Sequence, residues 1–268
     1  MPELPEVETV KETLKKEVLN RTIKGIDIYY DSIIAYPDIL KFKKNIINQK
    51  INDIQRRGKF LIFVLDNYYL LSHLRMEGRY YIKTGDKLKH EHVRFILDDK
   101  ELRYIDTRKF GRMYLLPKDE AYDMKPLNEL GKEPWDKSLD VNYLKNKYKN
   151  KKLPIKTVLL DQSIITGIGN IYDDEILYLS KINPYKKACE LKNKDLDNII
   201  NNTKLVLEKA IKLGGTTIRS YESSEGVHGR FQNELLVHGK EICPNCHNKL
   251  EVVHINGRGT YYCKKCQK

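Results

Sequence analysis

The spacing of apolar positions changes twice along the chain, and those changes divide it. Behind the opening MPELP, Val7, Val10, Leu14 and Val18 recur at helical spacing with Glu8, Lys11, Glu12, Lys15 and Lys16 between them. This predicts an amphipathic helix packed on a core. From Thr22 to about Pro117 the pattern becomes short β-rich runs such as TIKGIDIYY, KFLIFVLD, YYLLSHL, VRFILDD and GRMYLL. Turn pairs Asp66-Asn67 and Asp98-Asp99 separate them, as in the antiparallel hairpins of a sandwich or barrel. Strand signals stop in PLNELGKEPWD (126–136), which carries two prolines and a glycine and makes the expected linker, residues 131–137. Beyond it the period is helical again, in LDVNYLKNKY, PIKTVLLDQ, NIYDDEILYLSK and a long stripe from Leu196 to Leu213 that Gly214-Gly215 should terminate. A polar, aperiodic stretch (TTIRSYESSEGVHGRFQ) then leads into a cysteine-rich end. The expected fold class is α+β and multidomain, in segments 1–130, 138–237 and 238–268.

Composition narrows the function. At 268 residues with 40% hydrophobic content the chain can bury two modest cores. No apolar run approaches the ~20 residues of a membrane span, and an acidic first turn is the wrong start for a signal peptide. A cytoplasmic, non-membrane protein is expected. The formal charge of +12 points to a polyanionic partner, and the excess is larger in the second half, +8 in 131–268 against +4 in 1–130.

Four of the five cysteines fall in the last 26 residues as CPNC (Cys243, Cys246) and CKKC (Cys263, Cys266), with 16 residues between the pairs. Two close pairs at this separation can give four thiolates to one tetrahedral zinc on a β-hairpin ribbon, and with four protein ligands no position stays open for catalysis. Cys189 has no partner in the sequence and reads as a small buried side chain.

In SIITGIGNIYDDE, Gly167 and Gly169 imitate part of a dinucleotide fingerprint, but the third glycine would fall at Tyr172 and no strand precedes. A tight joint between helices, with Asn170 opening the second, fits better; free N–H groups at a helix start suit phosphate.

PELPEVET at the start, RRGKFL (56–61), HLRMEG (73–78), DTRKFG (106–111), LLDQSIITGIGNIY (159–172), GGTT (214–217) and the terminal four-cysteine ribbon resemble, in order and spacing, the bacterial formamidopyrimidine-DNA glycosylases. The resemblance covers nearly the whole chain. It implies a helix and β-sandwich catalytic domain, a helix-two-turn-helix domain with a mobile lid near 217–232, and the ribbon. It also implies a bifunctional glycosylase and abasic-site lyase of base excision repair, acting as a monomer on double-stranded DNA with oxidised purines or abasic sites, in the bacterial nucleoid, with one structural zinc per chain.

By that resemblance Pro2, freed of Met1, is the nucleophile. An α-amine titrates near ~8, far below lysine, so part of it is neutral and reactive at physiological pH. Glu3 handles protons at the sugar ring oxygen, Glu6 orients the N-terminus, and Lys59 stands beside the lesion and its phosphate. Met76, Arg108 and Phe110 fill the gap left by an extruded nucleotide, where apolar wedges offset unstacking. Lys156 lies near the damaged base, and His92, Asn170 and Arg258 contact the DNA. Asp173 departs from the small residue common at its position, and the lid sequence is variable.

One related reading and two unrelated readings compete. An endonuclease VIII-type glycosylase usually carries glycine in place of Leu4 and has its wedge elsewhere. A non-catalytic zinc-ribbon DNA-binding protein would need nothing special of Pro2. An N-terminal-proline tautomerase is a short chain that needs neither ribbon nor basic face.

Overall fold

A helix beginning at the fourth residue must find a core at once, because isolated helices of this length are marginal in water. In this computed structural model, which describes residues 1–216 and 229–268, the first helix α1 (Leu4–Val18) buries the expected stripe of Val7, Val10, Leu14 and Val18 completely or nearly so. Each such side chain contributes about 2 kcal/mol. The chain forms two units: Met1–Asn128 with Gly214–Gly229, and Glu129–Leu213 with Arg230–Lys268.

In the first unit the strands are β1 (Gly25–Ile28), β2 (Ile34–Tyr36), β3 (Asp53–Arg57), β4 (Phe60–Val64), β5 (Tyr68–His73), β6 (Arg79–Ile82), β7 (Glu91–Ile96), β8 (Glu101–Ile105) and β9 (Arg112–Pro117). They form a four-stranded sheet, β1-β7-β8-β6, and a five-stranded sheet, β2-β9-β5-β4-β3. All pairings are antiparallel except β2 with β9. Ile54, Leu61, Phe63 and Leu70 from one sheet and Tyr80, Val93, Phe95 and Tyr104 from the other meet the α1 stripe in one core. The all-β expectation for residues 22–117 needs one correction. Helix α2 (Ile39–Ile46) lies within it, capped by Asp38, whose carboxylate accepts the Lys41 N–H at 3.0 Å. Phe42 and Ile46, one helical turn apart, are its buried residues.

The second unit contains α3 (Val141–Tyr148), α4 (Ile155–Leu159), α5 (Asn170–Leu179) and α6 (Asn193–Lys212), followed by a hairpin of β10 (Glu251–Ile255) and β11 (Arg258–Tyr262). Helix α6 buries Leu196, Ile199, Ile200, Thr203, Val206, Leu207 and Ala210, and the chain leaves it through Gly214 at φ +75°. Asn256 and Gly257 turn the hairpin with positive φ at both positions, the requirement of a two-residue loop. Residues expected as linker are tied into this unit. The Gly131 N–H donates to Gln162 O, Lys132 bridges Ile165, and the unit boundary falls between Asn128 and Glu129. Among the described residues no helix is long and apolar enough to cross a membrane.

Tyr104 on β8 ties two loops together. A Cβ at Gly78 would lie 2.2 Å from its hydroxyl oxygen and a Cβ at Gly111 only 1.7 Å, while Tyr104 itself is fully buried and cannot yield. Gly111→Ala should therefore lower stability by about 1–3 kcal/mol in urea denaturation, as overpacking of a fixed core does. Adding Tyr104→Phe, which removes the hydroxyl, should recover part of the loss; an unchanged midpoint in Gly111→Ala would contradict this packing.

Candidate active site and nucleic-acid interface

Pro2 precedes α1 and is buried, and Glu3 is the helix N-cap residue. The Glu3 N–H donates to Glu6 Oε2 at 2.9 Å, which satisfies a donor that a helix start would otherwise leave open and suits the helix dipole. Glu3 and Glu6 are 3% and 4% exposed, far below what acidic residues in a first turn usually show. Glu6 Oε1 accepts the N–H and hydroxyl of Thr216, at 2.9 and 3.1 Å. Glu6, the carboxylate expected to orient the N-terminus, is thus bonded to Glu3 on one oxygen and to Thr216 on the other.

Lys59 sits in the turn between β3 and β4, beside Gly58 at φ +56°, and is 6% exposed. Arg56 braces that turn to α1, with Nε on Glu8 Oε2 at 2.8 Å and Nη1 on the Gly58 carbonyl at 3.0 Å. Burial would raise the Glu8 carboxyl, but hydrogen bonds from Lys11 and Arg56 outweigh it and hold the group below its ordinary value. His73, on β5 opposite Phe60, packs edge-on against that ring. Burial first, then the charges of Arg75 and Lys59, depress His73 to about 3. It is neutral at physiological pH, with Nδ1 accepting the Arg75 N–H, and so adds no charge beside Lys59. Sequence reading missed Arg56 and His73, although both stand inside the quoted motifs.

Met76, Arg108 and Phe110 lie in the two loops that close over Tyr104. Met76 is 39% and Phe110 46% exposed, unusual for apolar residues flanked by buried strands, and the Arg108 guanidinium lies 4.7 Å from the Phe110 ring centre. The second loop is held by Asp106, which sequence reading did not single out. Its Oδ1 accepts the Arg108 N–H at 3.0 Å and its Oδ2 the Gly111 N–H at 2.8 Å, while Lys109 takes φ +59°. His92 is 5% exposed and its Nε2 donates to the Asp106 carbonyl at 2.7 Å, so it supports this loop from beneath.

In the second unit, Gln162 organises the segment between α4 and α5. Its Nε2 donates to the carbonyls of Leu160 and Ile168, and its Oε1 accepts the Gly167 N–H, with Gly167 at φ +99°. Asn170 then opens α5, and its Nδ2 donates to Gly259 O at 2.8 Å, next to the exposed Arg258 on the hairpin. The two expected phosphate contacts are therefore brought together. Lys156 is a correction. It is fully buried, with Nζ 2.6 Å from Asp174 Oδ1, 3.2 Å from Asn170 O and 3.6 Å from Asp173 Oδ2. A buried ammonium must stay paired, so it braces the start of α5 and presents no exposed surface to a base. Asp173 is likewise buried and faces Lys156, so its charge is absorbed within the unit.

The sulfurs of Cys243, Cys246, Cys263 and Cys266 lie within 4.8 Å of one another. Pairs at 3.8 Å (Cys243 with Cys266) and 3.4 Å (Cys246 with Cys263) approximate the spacing of about 3.8 Å that tetrahedral Zn–S bonds of about 2.3 Å require. The four thiols fit one structural zinc. The Tyr178 hydroxyl, 3.3 Å from Cys243 Sγ, supports the cluster from α5. Cys189 is partly exposed and lies outside it. Of the expected lid, residues 217–228 lie outside the described residues; Phe231 is buried in a short helical turn, Phe231–Glu234.

Zinc removal should affect the two units differently. Cys263→Ser, or chelation, should lower affinity for duplex DNA through misplacement of the hairpin bearing Arg258, while the melting of the β-sandwich persists. Unchanged binding in a zinc-free protein would exclude the ribbon from the interface.

Comparison with known proteins agrees along the chain. Residues 1–113 match the model described as Formamidopyrimidine-DNA glycosylase N-terminal domain, 130–222 the H2TH domain of the same enzymes, and 239–268 the zinc finger found in FPG and IleRS. Proteins named formamidopyrimidine-DNA glycosylase from Oceanobacillus iheyensis and Shouchella clausii are 47% and 45% identical over 273 residues, covering 100% of this chain and 98% and 99% of theirs. Among solved structures, a Lactococcus lactis FPG mutant in complex with a Fapy-dG containing DNA superposes with a TM-score of 0.93 at 38% identity, over 100% of both chains. The Lactococcus lactis Fpg with an abasic site containing DNA gives 0.92 at 37%, over 99% of both. From these matches across all three segments, the chain belongs to the formamidopyrimidine-DNA glycosylase family.

Proposed function

We propose that this protein excises oxidised purines from double-stranded DNA and nicks the resulting abasic strand, as a monomer acting on the nucleoid in the bacterial cytoplasm. The observation that carries the reading is the buried Pro2-Glu3-Glu6 start of α1, in a chain whose relatives are glycosylases and whose structural neighbours hold Fapy-dG or abasic DNA. In this reading residues 1–130 carry the chemistry, and 138–237 with the ribbon 238–268 hold the duplex.

After removal of Met1, the neutral Pro2 amine attacks C1′ of the flipped nucleotide, and the C1′–N bond breaks as the base leaves with its electron pair and takes up a proton. Glu3 donates a proton to the ring oxygen as the sugar opens. The amine is secondary, so the resulting iminium is cationic and acidifies the C2′ protons. Loss of one expels the 3′ phosphate by β-elimination, and a second elimination expels the 5′ phosphate. Lys59 offers its charge to the lesion phosphate. Met76 and Phe110 occupy the vacated stack and Arg108 meets the orphaned base, while Asn170 and Arg258 hold backbone phosphates. His92 acts through the Asp106 loop. The endonuclease VIII-type alternative is disfavoured by Leu4 and by the exposed Arg108-Phe110 pair on one loop.

Borohydride added to protein and a duplex with one 8-oxoguanine opposite cytosine should trap a covalent adduct, and peptide mapping should place the link on the peptide beginning at Pro2. A link on Lys59 would refute the assignment, and retention of Met1 should abolish trapping because the nitrogen is then an amide.

Arg108 should set the preference for the opposite base. Cytosine presents O2 and N3, two acceptors matched to a planar guanidinium, whereas adenine sets an amino donor against it. Discrimination of about tenfold to a hundredfold in single-turnover excision, cytosine over adenine, is expected from such a contact. Arg108→Ala should shrink the ratio more than Lys109→Ala does; a full preference in Arg108→Ala would remove the residue from this role.

A further inference from the structure

The Glu6 carboxylate is shared between two remote parts of the chain. Oε2 holds the Glu3 N–H, and Oε1 holds both donors of Thr216, 210 residues away in sequence. The backbone is shaped around that contact. Gly215 has φ +76°, and a Cβ there would lie 2.6 Å from Glu6 Oε1. Gly229 packs so closely that its Cβ would lie 2.3 Å from the Thr216 carbonyl oxygen and 2.4 Å from that of Gly215. Two glycines thus let the main chain close on Thr216 from both sides, and the threonine is set against Glu6 by backbone packing as well as by its own hydrogen bonds.

We infer that Thr216 is a positioning residue for the N-terminal nucleophile, acting through Glu6. The inference rests on Pro2 being that nucleophile. A glutamate has three side-chain torsions, and an acceptor that rotated freely would hold the Glu3 amide only part of the time. The Thr216 donors select one rotamer, which fixes Glu3 and with it the adjoining proline. Attack on C1′ is sensitive to such placement, since an error of about 1 Å can cost about a hundredfold in rate. The Thr216 hydroxyl bonds Glu6 Oε1, and its effect passes through that carboxylate.

The test uses the full chain with Met1 removed and a duplex with a preformed abasic site, so that base excision is bypassed. Single-turnover borohydride trapping at saturating protein reads the attack, and Kd for the same duplex bearing a tetrahydrofuran analogue reads binding. Thr216→Val, which keeps the N–H and the shape, should slow trapping by about tenfold, equivalent to about 1.4 kcal/mol of activation free energy, with Kd little changed. Thr216→Ser should restore the rate by returning the hydroxyl. In a Glu6→Gln background, where one carboxylate oxygen is lost, the effect of Thr216→Val should shrink. A wild-type trapping rate in Thr216→Val, a loss confined to Kd, no rescue by serine, or an undiminished effect beside Glu6→Gln would each overturn the inference. Absence of trapping in the wild type would overturn the Pro2 assignment itself, a result distinct from all four.

Discussion

A chain end is ordinarily the least ordered part of a fold, because it has neighbours on one side only and loses the most entropy when held still. Chemistry at an N-terminal amine therefore depends on an anchor within the first few residues. In this protein the first residues are held by the Glu6 carboxylate, which accepts the Glu3 amide on one oxygen and Thr216 on the other, backed by the burial of Leu4, Val7 and Val10 in and around the sandwich core. The sandwich is the mass against which α1 is fixed, and Arg56 carries that fixity from Glu8 to the turn bearing Lys59.

The same dependence on support shapes the exposed residues. Met76 and Phe110 cannot hold themselves in water by hydrophobic contact, so their loops are held from below by Tyr104 and Asp106. Rigidity in the support lets an apolar side chain stay presented to solvent, where a flexible loop would fold it back onto the nearest surface. In the second unit Gln162 and the Lys156–Asp174 pair serve the start of α5 in the same way. Asp174 Oδ2 also accepts the Tyr261 N–H and lies 2.7 Å from His238 Nδ1, which docks the ribbon hairpin on α5. Cys263 directly follows β11, so the four thiols lie beside this hairpin and leave a bound zinc no open coordination position.

Much of this was legible in the residues before any coordinates. The helical stripe of α1, the β-rich run after it, the stop at Gly214-Gly215 and the two cysteine pairs are local patterns, and local patterns survive in sequence because they follow backbone period, φ preference and ligand count. Helix α2 was lost inside a β-rich run because eight residues give too few periods to stand against their neighbours, although Asp38 and the Phe42, Ile46 pair were its signals. The stretch at 131–137, with Gly131 and Pro134, looked like a linker because proline and glycine mark turns without saying what the turn pairs with, and Gly131 and Lys132 pair with residues about thirty positions on.

By itself the sequence determined which groups are available: a proline at position 2, carboxylates at Glu3 and Glu6, an arginine and two apolar residues in turn motifs, and four thiols in two pairs. Only the tertiary structure decided which of them act outward and which are consumed inside. Lys156 and Arg258 are both cations near glycine or proline in sequence, yet one is enclosed by Asp173 and Asp174 and the other stands exposed on a hairpin. Sequence could not separate them because burial of a charge depends on partners brought from distant positions, and the cost of leaving such a charge unpaired is what selects its place. The bond from Thr216 to Glu6 is of the same kind, invisible along the chain because no period or propensity connects residues 210 positions apart.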